Sequence, residues 1–191
     1  MANCDYTLAT NIAEDCSNPM VNGLKSIGYI GNFDDLDKSG STRTGNKITT
    51  LALKDDAKLV KVYQAGKTPF NGTNSALVVG DYKNKFTKTV NFVIFENGAA
   101  ATENIVDKLA NGKFFFVLEN NYQGVSGDGA FEVVGYENGA SAAEITNAKY
   151  DDNVGGAWVC SMTEESAPTS GVFMLATGGV EATRTALEAL C

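Results

Sequence analysis

The sequence predicts an α+β, β-rich fold: an antiparallel β-sandwich or barrel with one packed helix and a short C-terminal helix. Three observations carry that expectation. Short runs rich in Val, Ile, Phe, Tyr and Thr recur between clusters of Gly, Asn and Asp, the pattern of strands separated by turns. Residues 86–95, FTKTVNFVIF, place Phe86, Val90, Phe92 and Ile94 on one parity and Thr87, Thr89 and Asn91 on the other, so one face of that strand is core. Helical spacing is confined to a few short segments.

Residues 1–22 read as an N-terminal arm and residues 23–191 as a single β-rich domain. In the arm, Leu8, Ala9, Ile12, Ala13 and Cys16 are spaced for one face of a short helix that Asn18-Pro19 breaks; an extended arm docking on a neighbour is the competing form. From Gly23 onward, strands are predicted at 26–33, 47–53, 58–63 and 76–79 as an antiparallel meander, followed by 86–95. The loops at 34–46 and 67–75 are read as long enough to bridge layers of an assembly. A helix is predicted over 99–112, with Thr102 as N-cap, Glu103 in the first turn, Ile105, Val106 and Leu109 on one face, and Asn111-Gly112 as the stop. Strands resume at 113–119 (KFFFVLE), 130–136, 157–162 and 172–176. The run Phe114-Phe115-Phe116 fits a strand buried on both faces, by sheet and by helix. Gly178-Gly179 then opens a final helix whose Val180, Thr183, Ala186, Leu187 and Leu190 fall on one stripe.

A chain of 191 residues buries roughly 70% of its extended-chain surface, enough for a core without metals or disulfides. Cys4, Cys16, Cys160 and Cys191 form no CxxC pair and read as free thiols, with a Cys4–Cys16 bridge as the minor alternative. No secretory signal is visible in residues 1–10, and no apolar run is long enough for a membrane helix. The net charge of -8 opposes nucleic-acid binding, because phosphate affinity comes from clustered Lys and Arg.

Histidine is absent, which removes the commonest general base, the usual partner of a Ser or Cys nucleophile, and the commonest zinc ligand. The 23 acidic residues show no spacing that favours a carboxylate pair, so the chain is read as not an enzyme. Asp35, Asp37 and Ser39, with Gly40 behind them, echo the start of a calcium loop and are the one metal candidate. The echo fails at position nine, which is Arg43, and at position twelve, which is Asn46, so a solvated turn between strands is the favoured reading. Asp151-Asp152-Asn153 is a second acidic turn. Residues 124–129, GVSGDG, lack the Lys and following helix of a phosphate loop and read as a hairpin connection. Asn71-Gly72-Thr73, a formal glycosylation sequon, reads as a turn, and Trp158 beside Cys160 as core.

Residues 16–33, CSNPMVNGLKSIGYIGNF, followed by Asp34-Asp35, combine a short Cys-containing arm, a Gly-Leu-Lys step and a first strand ending in an acidic turn. Together with KFFFVLE at 113–119, Asn120 to Tyr122, and GAFEVVGYENG at 129–139, this opening resembles a group of virion structural proteins of phages of gut Bacteroidales, including crAss-like phages. Several members of that group look like tail-tube subunits. The layout matches along the whole chain and the specific motifs about a third of it. The resemblance implies no catalytic residue, no cofactor, residence in the virion after synthesis in a host bacterial cytoplasm, and partners that are copies of the chain or other virion proteins of capsid, neck or tail. A tail-tube-like subunit is the first expectation and a capsid auxiliary or decoration protein the second. A calcium- or carbohydrate-binding module, resting on the Asp35 loop and on surface aromatics such as Tyr122 and Tyr136, is the third.

Overall fold

A computed structural model describes residues 7–13 and 15–191. Strand makes up 43% and helix 14%, in two sheets that do not close into a barrel, so the β-rich expectation resolves to the sandwich. The strands are β1 (Leu24–Asn32), β2 (Leu36–Thr44), β3 (Lys47–Leu53), β4 (Val60–Tyr63), β5 (Phe70–Val78), β6 (Lys85–Ile94), β7 (Phe114–Asn120), β8 (Phe131–Val134), β9 (Ser141–Asn147), β10 (Trp158–Ala167) and β11 (Val172–Met174). Seven of them form a large sheet in the order β2-β3-β11-β8-β7-β1-β4, and four a small sheet in the order β5-β6-β10-β9. The order is not the predicted meander: β1 pairs with β7 and β4, and β11 runs parallel to β3.

The helical segment at 99–111 comprises α1 (Ala99–Ala101), a π-wound turn (Thr102–Val106) and α2 (Asp107–Asn111). Its cap is Gly98, not Thr102; the Thr102 hydroxyl instead donates to the Gly98 carbonyl from one turn inside. Asn111 ends it and Gly112 leaves in an extended conformation, as the sequence indicated. The last helix, α3 (Val180–Ala189), starts after Gly179, whose φ of 92° is one a side chain rarely adopts. Thr183 locks that start, donating to the Gly179 carbonyl and accepting from the Ala176 N–H.

β7 organises the interior. Phe115 and Val117 face Tyr29, Ile48, Val133 and Leu187 on the α3 side, whereas Phe114, Phe116 and Leu118 meet Phe70, Phe92 and Met162 of the small sheet. Alternation along a strand sends neighbours to opposite faces, so a strand covered on both sides must be apolar throughout. Burying each phenylalanine contributes roughly 1.5–3 kcal/mol relative to exposure. Phe92 lies 5.8 Å from Phe116 and 6.3 Å from Phe70 between ring centroids, all tilted, which links the sheets.

Polar groups cross the same interior. Lys88 is 1% and Glu164 0% exposed, directly opposite one another on β6 and β10. Glu164 accepts three backbone N–H bonds of 2.9 Å, from Gly135 at one oxygen and from Glu137 and Asn138 at the other. Those donors belong to the turn after β8, so a small-sheet carboxylate holds a large-sheet turn. Lys88 Nζ lies 3.7 Å from the same carboxylate. Thr73 on β5 makes a second link, donating to Glu132 on β8 at 2.8 Å.

Three strands depart from the sequence reading. The 34–46 loop is a single 3-10 turn (Phe33–Asp35) and the bulged strand β2, in which the Asp37 carboxylate takes up the N–H groups of Ser39 and Gly40 that the ladder leaves unpaired. The 67–75 loop is largely the first part of the edge strand β5, which also takes in most of the strand predicted at 76–79, and the sequon at Asn71 lies in it and not in a turn. β9, also at a sheet edge, has no counterpart in the prediction. In the arm, residues 7–13 are exposed and the predicted short helix is not seen among the described residues.

Because the backbone donors and not the lysine hold Glu164, Glu164→Ala is expected to cost roughly 3–5 kcal/mol, as when one member of a buried pair is removed. Lys88→Met, which fills the volume and keeps Glu164 bonded, should cost clearly less. Urea unfolding of both variants gives the ranking, and equal losses would assign the clamp to the lysine.

Candidate functional site

The buried polar pair Lys88 and Glu164 is sealed from solvent, whereas the sheet margins face outward. The large sheet ends at β2 and β4 and the small sheet at β5 and β9. β2 is bulged and carries Asp37, Lys38 and Arg43; β5 is polar over residues 71–75, contains Gly72 at a φ of 125°, and leaves Leu77 and Val78 about half exposed at its far end. β4 differs. Its Val62 packs on the inter-sheet core while Val60, on the same parity, is 65% exposed. Beside them runs an apolar groove of about 570 Å³, with Ile30, Val60, Val62, Ile94, Ile105 and Leu109 among its walls. Its charged lining is Lys58, Lys61, Lys108 and Glu96. Lys61 lies on the opposite parity, bonded to Glu188 of α3. That contact, with the Tyr29 hydroxyl, holds the Glu188 carboxyl below its ordinary range, while burial first and then the bond to Glu188 push the Tyr29 hydroxyl well up.

The arm carries the second apolar feature. Leu8 is 82%, Ile12 92%, Met20 80% and Val21 55% exposed. Its root is pinned at the start of β1, where Asn121 donates through its backbone to Gly23 and through its side chain to Asn22.

Of the calcium candidates, Asp37 and Ser39 bond to one another while Asp35 bonds elsewhere. Asp35 ends the 3-10 turn and accepts from the Asn32 amide, and the Asp37 oxygen that faces the loop accepts from the Ser39 hydroxyl as well as from two N–H groups. The Ser39 hydroxyl bond is the main cause that holds the Asp37 carboxyl below its usual range. Among the described residues no three His, Cys, Asp or Glu side chains gather as metal ligands. Tyr136, expected at the surface, is 4% exposed beneath Arg43, whose guanidinium carbon is 5.3 Å from the ring centre. Tyr122 is half-buried, so the two tyrosines make no exposed platform for a sugar.

Other motifs fall into local structure. Residues 124–129 connect the antiparallel strands β7 and β8, with Gly124 and Gly127 at positive φ, as read from the sequence. Asp151 caps the N–H of Asn153 in the turn between β9 and β10. Trp158 is partly buried against the inter-sheet core. Cys16, Cys160 and Cys191 are free thiols, and burial pushes Cys160 up to about 11; Cys4 and its bridge lie outside the described residues. Among the described residues no helix is long and apolar enough to cross a membrane.

Sequence reasoning missed Lys88, Glu132 and Glu164. The available signal was Lys88 itself, a cation on the apolar parity of β6. Burial raises the Glu132 carboxyl above its usual value, with the Thr73 hydrogen bond and Lys88 acting in the opposite direction. At 1% and 0% exposure, Lys88 and Glu164 are out of reach of a substrate, and their chemistry is that of an internal tie. Compared with protein-family models, curated proteins and solved structures, the chain matches none.

Two outcomes follow from this geometry. A carboxyl whose folded pKa is raised favours the native state below its unfolded value, about 4.3, and that advantage is lost as pH rises through the folded value. Glu132→Gln keeps an acceptor for Thr73 without the charge, so its urea midpoint should match wild type at low pH and exceed it increasingly toward neutrality; a constant gap would mean burial is not the cause. Millimolar calcium should leave the melting temperature unchanged, since one Asp37 oxygen already accepts three hydrogen bonds and no cluster of three acidic ligands forms among the described residues, and a rise would restore a binding loop there.

Proposed function

We propose that this chain is a structural subunit of a phage particle that acts by repetitive assembly, in the manner of a tail-tube subunit. The observation that carries the reading is the arm: a segment with four large apolar side chains in solvent, leading out of a sandwich whose sheet margins are open. Isolated proteins blunt strand edges and seldom leave apolar segments uncovered, whereas assembly proteins use both to hold the next copy. The resemblance of residues 16–33, 113–122 and 129–139 to virion proteins of Bacteroidales phages points the same way. So does the lack of histidine, since a particle component needs no proton shuttle. The net charge of -8 suits a wall past which DNA must slide without adhering.

Negative-stain microscopy of the purified protein is expected to show rings or hollow rods of uniform width. Monomers that bind only to assembled shells would make it a capsid auxiliary protein instead, and monomers that ignore every particle component would remove both readings. Deleting residues 1–18 should abolish the association while leaving the melting temperature of the sandwich close to wild type; the reverse ranking would show that the arm is part of the core.

A further inference from the structure

We infer that the groove beside β4 is the seat for residues 7–22 of a second copy of this chain, added as a strand to the free edge of the large sheet. The inference rests on the assembly reading above and names the surfaces that would carry it.

Four observations support this occupant. In an extended strand Leu8 and Ile12 fall on one face, about 13 Å apart, with Thr10 between them. A strand paired to β4 with that face turned inward would continue the row formed by Val60 and Val62 and cover Ile105 and Leu109. The exposures match in kind, since Leu8, Ile12, Met20 and Val21 of the arm and Val60 and Ile105 of the groove wall are exposed among the described residues.

Charge agrees. Residues 7–22 contain Glu14 and Asp15 and no Lys or Arg. On the groove side of β4 the lining charges are Lys58, Lys108 and Glu96, and neither lysine is ion-paired among the described residues. An acidic arm therefore meets a rim with a surplus of positive charge, which favours encounter and fixes direction.

The ends of the molecule also agree. The arm root sits where β1 begins, at Leu24 opposite Asn120, while the groove floor lies toward the end of β1, at Ile30 and Asn32 beside Phe114. A segment leaving one end and a seat opening toward the other define a head-to-tail contact, which propagates from copy to copy until a ring closes or a filament grows.

Two full-length variants separate the possibilities. Leu8→Asp with Ile12→Asp disables the arm, and Val60→Asp with Ile105→Asp disables the groove; all four positions are exposed, so wild-type melting temperatures are expected and serve as the check on folding. By sedimentation velocity, wild type should form large species and each variant alone should remain monomeric. An equimolar mixture should give 1:1 dimers and nothing larger, because only one intact arm and one intact groove remain per pair. Assembly persisting in the groove variant would overturn the inference and leave the assembly reading standing. A mixture that stays monomeric would mean that the arm occupies its own groove or none. Monomeric wild type would overturn both readings.

Discussion

The Glu164 carboxylate is the contact on which the rest of the molecule turns. A charge with no exposure is tolerable only when its lone pairs are satisfied, and three N–H donors from one turn do so. That turn is not free to sit elsewhere. A Cβ on Gly135, at a φ of 85°, would come within 2.4 Å of the Phe114 carbonyl, so the turn lies flat against the start of β7. Phe114 and Ala140 then exchange two backbone bonds of 2.9 and 2.7 Å. One anion on the small sheet thus fixes the strand whose alternate residues build both cores.

Around β7 the layers are stitched by different means. The small sheet is held by rings and by the Thr73–Glu132 hydrogen bond. α3 is held by the apolar contacts of Leu187 and by charges at its margins, with Arg184 reaching Glu119 and Glu188 reaching Tyr29 and Lys61. The faces of the large sheet are accounted for in this way, and what remains open is lateral. Charge and a bulge protect β2, and polar residues and Gly72 interrupt the first part of β5, whereas β4 presents valine beside an apolar groove.

How much of this was legible in the sequence depends on whether a residue's neighbour was near in the chain. KFFFVLE, FTKTVNFVIF and the stripe of α3 declared themselves because apolar periodicity is local, and the double burial of β7 followed from its lack of alternation. β2, β9 and the first two thirds of β5 were missed, the strand at 76–79 anticipating only the end of β5, because edge strands contact the core on too few positions to need a pattern, and in β2 the Asp37 side chain imitates a turn within a strand. The Asp35 loop attracted attention as a ligand set, yet its oxygens answer to their own backbone. Tyr136 read as a surface aromatic because nothing nearby in sequence reveals that Arg43 covers it. The groove was illegible because β1, β4, β6 and the helical segment at 99–111 each contribute a wall, and only tertiary structure brings them together.

The parallel pairing of β11 with β3 has a consequence for biogenesis. Phe173 stands opposite Lys47, and Leu59 donates its N–H to the Leu190 carbonyl, so strands near residue 50 are completed by residues far later in the chain. Closure over such separations is slow, and most of the chain must leave the ribosome before the large sheet can knit. Until residues 172–174 and 190 have been made, β3 lacks its parallel neighbour and the Leu59 N–H lacks its acceptor, so the edge of the unfinished large sheet stays open during synthesis.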